Sequence, residues 1–193
     1  MYPPRIAIFA DGENLVLRFQ EMVGTGRRPV PEVVHSRDCY VWSPRIIWDG
    51  NHPEYQLVTR IHYYSSVTGD APRVAQVRDQ LSAIEYTCRP DATNGGVTHR
   101  GQLVPVVFKK PAQSQKTRNV DIQILIDVMR CAHSDQFEQI HIMSGDGDYL
   151  PLVKEVVHLG KQVRLSAFSS GLHSELRSNV DRFTSLDTFY FEP

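Results

Sequence analysis

Two carboxylates two residues apart, Asp146 and Asp148, lie among glycines in the run Ser144-Gly145-Asp146-Gly147-Asp148-Tyr149. An apolar segment at residues 139–143 precedes the run, and a helical pattern at residues 150–159 follows it. The acids therefore sit where a strand turns into a helix. In an open α/β sheet that is the carboxyl edge, where ligands collect. Like charges so close together repel unless a cation lies between them. Asp11 closes a first apolar strand at residues 5–10, and Asp121 opens the clearest helix, at residues 119–131. Neighbouring parallel strands point their carboxyl ends the same way, so acids remote in sequence can converge. Four carboxylates around one point would hold one or two Mg²⁺ or Mn²⁺ ions, hard cations that prefer oxygen. Such a site can activate water and neutralise a phosphate during in-line displacement.

Each acid alone has a plainer explanation. An Asp before a helix is commonly its N-cap, which suits Asp11 and Asp148. Four acids together would crowd apolar strand tips with uncompensated charge, and capping does not account for that. Asn14, three residues after Asp11, could bind a metal-bound water or a phosphate oxygen, or only hydrogen-bond the helix start. Ser144 could offer its hydroxyl to a neighbouring carboxylate or a phosphate, or only serve the turn. Asp127 follows Asp121 by six residues, about 120° around the helix, so the two cannot point directly at one ion. Asp127 is expected to support the site, or to pair with Lys116 or Arg118.

The elements that must position these groups alternate. Strand patterns at residues 5–10, 57–65, 139–143 and 162–167 interleave with helical patterns at 15–22, 72–84, 119–131, 150–159 and 172–178. This predicts a mainly parallel sheet with helices on both faces. In the clearest helix, Ile122, Leu125, Ile126 and Met129 are the expected apolar stripe. Residues 103–109 are a strand candidate, expected at an edge because Pro105 removes a donor. A chain of 193 residues suits one domain with a good core. Residues 24–53, rich in Gly, Pro and turn formers, read as an insertion that could cover the site, bind a partner or make a homodimer. The net charge of −1 means that overall charge does not by itself point to nucleic acid. Three scattered cysteines lack zinc spacing and argue against a disulfide framework. With no signal peptide and no membrane-length apolar run, a cytoplasmic protein is expected.

At these residues the chain resembles the NYN domain, in its bacterial LabA-like branch, a member of the PIN-like nuclease superfamily. The matching pieces are Ile8-Phe9-Ala10-Asp11-Gly12-Glu13-Asn14-Leu15, then Lys116 through Val120-Asp121 to Asp127, then Ser144 to Tyr149 with Pro151-Leu152. A closing Val180-Asp181-Arg182-Phe183 resembles the family's last acidic-aromatic piece. Their order and spacing agree over nearly the whole chain. The resemblance implies a single domain over residues 1–193 with a three-layer α/β/α PIN-like fold. It implies a metal-dependent ribonuclease whose metal ligands are Asp11, Asp121, Asp146 and Asp148. Asn14 and Ser144 would support them, and Lys116 and Asp127 match further family positions.

A nuclease must also hold the phosphate backbone. Lys109, Lys110, Lys116 and Arg118 flank the acidic helix start and are the first candidates. Arg27, Arg28, Arg37 and Arg45 in the insertion are others, with Trp42 or Trp48 available for base stacking. RNA, single-stranded or structured, is the expected partner, with no membrane. The alternative is an idle regulator on the same fold that binds RNA or protein without cutting. A phosphotransferase is disfavoured, because a nucleophilic Asp would typically stand in a DxD run after the first strand, where Asp11-Gly12-Glu13-Asn14 stands instead.

Overall fold

A strand that reads Arg5-Ile6-Ala7-Ile8-Phe9-Ala10-Asp11 is apolar on both faces, so both faces must be covered. In the computed structural model, which describes residues 4–47, 57–88, 98–110 and 118–193, this strand lies at the centre of a seven-stranded sheet. The chain runs β1 (Arg5–Asp11), α1 (Gly12–Gly24), β2 (Val34–Ser36), β3 (Tyr40–Trp42), β4 (Leu57–Thr68), α2 (Ala71–Ser82), β5 (Glu85–Cys88) and β6 (His99–Lys110). It continues with α3 (Asn119–Ala132), β7 (Gln139–Met143), α4 (Leu150–His158), β8 (Gln162–Ala167), α5 (Ser174–Ser178), β9 (Arg182–Ser185) and α6 (Asp187–Tyr190). The strand order is β5-β6-β4-β1-β7-β8-β9, and only the β5–β6 pair is antiparallel. Ile6, Ile8 and Ala10 face a core shared with α1 and α2, whereas Ala7 and Phe9 face one shared with α3 and α4. This is a three-layer α/β/α fold with a mostly parallel sheet.

Two sequence expectations need correction. The buried stripe of α3 is Val120, Ile124, Val128 and Ala132, while Ile122 and Ile126 are exposed. The helix is apolar on several sides, so periodicity alone does not choose the inward one. Each helical residue turns about 100°, which puts Asp121 beside Val128 and Ala132 at one side of the stripe and Asp127 just outside Val120 at the other. The second correction is one of extent: β6 as a whole lies between β5 and β4, but from Leu103 onward it pairs with β4 alone, so Pro105 stands at a local edge. The Leu103 N–H donates to Ile84 on the β5 side, so the position two residues on faces that side as well. Pairing with β5 reaches only Gln102, so the donor that Pro105 lacks has no strand opposite it.

The segment expected to be an insertion contains, among its described residues, a hairpin, β2–β3, that packs on β4. The Val41 N–H donates to the Tyr63 hydroxyl at 3.0 Å, and Ser65 Oγ donates to the Cys39 carbonyl at 2.6 Å. Trp42 is fully buried with its ring edge-on to Tyr63, so it belongs to the core and offers no face to a base. Trp48 lies outside the described residues. Cys39, Cys88 and Cys131 are not joined in disulfides. Among the described residues no helix is long and apolar enough to cross a membrane.

Candidate functional site

Asp11 ends β1, and Asp146 and Asp148 follow β7, its adjacent parallel strand. Gly12 lets β1 turn directly into α1, because a Cβ there would overlap the Tyr63 ring and the Tyr64 carbonyl. Asp11 caps that helix: its Oδ1 accepts the Asn14 N–H at 3.1 Å. Its other oxygen, Oδ2, accepts the Ser144 hydroxyl at 3.0 Å and lies 3.3 Å from the Tyr149 hydroxyl. The Asn14 side chain joins the two strand tips, since its Oδ1 accepts the Gly145 N–H at 3.1 Å. Asp11 thus caps a helix with one oxygen and turns the other toward the neighbouring strand tip.

Asp121, in the first turn of α3, reaches the same Tyr149 hydroxyl at 3.3 Å through Oδ1. One hydroxyl therefore stands between two carboxylates that are 110 residues apart in sequence (121 − 11). That hydroxyl carries a single proton and can donate to only one of them at a time. Burial and the two neighbouring carboxylates push its own acidity far below normal, so it stays protonated. Burial also raises the Asp11 carboxyl to about 7; the Asn14 and Ser144 donors oppose the rise, and the charges of Asp121 and Glu13 add to it. Asp11 is only 3% exposed, and its hydrogen-bond donors among the described residues are neutral. An all-oxygen set that holds negative charge in a buried corner suits a hard divalent cation.

Asp146 stands one step further out. Its backbone N–H donates to Ser144 Oγ at 3.2 Å, and its Oδ1 accepts the Asp148 N–H at 3.0 Å, capping the 3₁₀ turn Gly147–Tyr149 before α4. The cap of that turn is thus Asp146 rather than Asp148, whose side chain is exposed. Among the described residues no three Asp, Glu, His or Cys side chains stand close enough to hold an ion as a group. The intimate pair is Asp11 and Asp121. This still suits Mg²⁺, which takes one or two carboxylates and keeps several waters instead of an all-protein cage.

Asp127 is directed elsewhere. It accepts from the Tyr64 hydroxyl and from Gln123 Nε2, each at 3.0 Å, and from Arg130 at 3.2 Å, which fastens α3 to β4. Lys109 is exposed, and Lys110 Nζ lies 3.7 Å from Glu13 Oε1 beside the tip of β1. Arg118 is exposed at the start of α3, three residues before Asp121. Lys116 lies outside the described residues. Asp181, in the closing piece, accepts the Val163 N–H at 2.7 Å at the opposite edge of the sheet. Sequence reasoning assigned no role to Tyr149; its one signal was a hydroxyl-bearing aromatic directly after the acidic turn.

Known proteins share this fold and sequence pattern. The chain is 25% identical to the low amplitude and bright protein LabA of Synechococcus elongatus over 96% of its own length and 85% of that relative. Its fold superposes on a protein of unknown function from Vibrio parahaemolyticus with a TM-score of 0.64 at 17% identity, covering 99% of this chain and 98% of the other. The NYN domain profile matches residues 5–187, and the chain is a member of the NYN domain family.

Proposed function

We propose that the protein is a metal-dependent ribonuclease that hydrolyses RNA phosphodiester bonds at the Asp11–Asp121 corner. One observation carries this reading: carboxylates from a strand tip and a distant helix start share the Tyr149 hydroxyl. Mg²⁺ or Mn²⁺ would be held by Asp11 and Asp121, with Asp146 and then Asp148 as further oxygen donors. When bound, the ion neutralises the scissile phosphate and lowers the pKa of water.

The chain's own residues do the rest. Ser144 and the Asn14 N–H orient the two Asp11 oxygens. The Asn14 side chain fixes the turn that carries Asp146. Tyr149 holds Asp11 and Asp121 at a set separation. Lys110 and Arg118 flank the corner and attract the backbone, with Lys109 as an outer contact.

The test is cleavage of a mixed RNA pool with Mn²⁺, alongside Asp146→Asn and the metal-free protein. Cleavage lost in both controls supports the proposal. RNA binding without cleavage by the wild type supports an idle regulator instead. Calorimetric titration of Mn²⁺ into wild type and Asp11→Asn gives a readout independent of turnover, with binding expected only in the wild type.

A further inference from the structure

The carboxyl edge carries a second concavity, on the other side of β1 from Asp121. Asp11 ends its strand level with Tyr64, but β4 runs on to Thr68 and β6 to Lys110. This overhang, the first turns of α1, the start of α2 and the β2–β3 connection enclose a cleft of about 340 Å³. Gly12 and Glu13, directly after Asp11, form part of its wall, so the cleft begins one residue beyond Asp11.

Three cations from three elements line the cleft: Lys110 of β6, Arg73 of α2 and Arg37 of the hairpin turn. The Lys110 side chain is 19% exposed and reaches toward Glu13, which also accepts the Ser66 hydroxyl. Arg73 is held by Gln76 Oε1 at 2.8 Å and by Cys39 Sγ at 3.5 Å. Arg37 is 90% exposed, 3.7 Å from Asp38. Against these three stand two lining carboxylates, Glu13 and Asp38, so cations are in excess. The hairpin wall is preformed by its bonds to Tyr63 and Ser65. A pocket of this size takes a small-ligand-sized group and has no room for a duplex.

We propose that this cleft seats the backbone of single-stranded RNA next to the phosphate at Asp11, with Lys110 and Arg73 on phosphate oxygens and Arg37 closing over the strand. The inference rests on the ribonuclease reading and gives the insertion a role, because its hairpin turn supplies one wall of the substrate path. Contacts to phosphate carry no base information, so the subsite is indifferent to sequence.

The test is anisotropy of a labelled eight-nucleotide single-stranded RNA in EDTA, with wild type and with Arg37→Gln, Arg73→Gln and Lys110→Gln. Each substitution should weaken binding about fivefold for mixed and oligouridine strands alike. Each should also lower the slope of log affinity against log salt by about 0.7. In Mn²⁺, Arg37→Gln should raise KM for cleavage and leave kcat unchanged. Arg37 is almost fully exposed, so its variant reads the subsite without a folding defect. Wild-type affinity, salt slope and KM in all three variants would overturn the subsite and leave the ribonuclease reading standing. A wild type that neither binds nor cuts RNA brings down both. A duplex of the same sequence bound as tightly as the single strand overturns the single-strand assignment.

Discussion

Strand β1 carries charge at both ends and accommodates it in opposite ways. At its amino end, Arg5 donates to Glu138 from its backbone N–H at 2.7 Å and from its guanidinium, and both side chains are close to half exposed. Those bonds hold the Glu138 carboxyl down at about 2. At its carboxyl end, Asp11 is buried among neutral donors with Asp121 and Glu13 nearby, and its carboxyl rises to about 7. Identical chemistry, a carboxylate beside a strand end, is stabilised at one end and held in an unfavourable state at the other. A buried carboxylate without a balancing charge destabilises a fold. Its placement at the edge where α/β proteins bind ligands supports the site proposed at the carboxyl end.

The largest expected effect comes from removing the buried charge. Asp11→Asn keeps an acceptor for the Asn14 N–H but loses the ion-binding charge. RNA cleavage in Mn²⁺ should fall roughly a thousandfold or more, in line with the several kcal/mol that a bound ion contributes. Its melting temperature in EDTA at pH 8 should nevertheless rise. A variant both inactive and less stable would break the contrast between the two ends. Tyr149→Phe tests the hydroxyl between the carboxylates. Removing an orienting group beside a metal ligand should lower Mn²⁺ affinity or kcat about ten- to a hundredfold, read by calorimetry and steady-state cleavage. Wild-type values in that variant would show that Asp11 and Asp121 need no common partner.

The pH dependence of stability sharpens the same contrast. The Asp11 carboxyl is near 3.8 when unfolded and about 7 when folded. Between those values the folded state binds the extra proton, so stability falls as pH rises and levels off above about 7. Metal-free melts from pH 4 to 8, taken as the difference between wild type and Asp11→Asn, should show that fall. Saturating Mn²⁺ should flatten or reverse it, since binding to the folded state adds stability. A difference curve flat in both conditions would show that Asp11 titrates normally.

The element order and the acidic corner were legible because strands buried on both faces and helices between them leave different patterns. The strand-to-helix turns that carry Asp11 and Asp146 are local, so their residues were readable one by one. What stayed hidden depends on rotation and on partners from distant segments. The inward face of α3 was ambiguous because Ile122 and Ile126 are as apolar as Ile124 and Val128. The six-residue spacing already set Asp121 and Asp127 about 120° apart, but only the packed helix shows that one reaches Tyr149 and the other Tyr64. Trp42 resembled a stacking platform because tryptophan is chemically suited to both roles, and burial against Tyr63 decides between them. Arg73 has no spacing relation to Asp11; the overhang of β4 past β1 is what brings α2 to the cleft.

The smallest effect belongs to the amino end of β1. Glu138→Gln removes the charge but leaves an amide oxygen for the Arg5 N–H, and the guanidinium keeps its bond to the Asp135 carbonyl at 2.7 Å. Both partners are well exposed, so water and salt already screen the pair. The melting temperature should drop by at most about 2 °C at low salt, and the difference should vanish near 1 M salt. The acid dependence runs opposite to that of Asp11. The Glu138 carboxyl lies near 4.5 when unfolded and about 2 when folded, so its contribution is present above about 4.5 and lost as pH falls toward 2. A salt-insensitive loss in Glu138→Gln would mean that the two ends of β1 are held by the same kind of buried electrostatics. The difference between them could then no longer be used to locate the site.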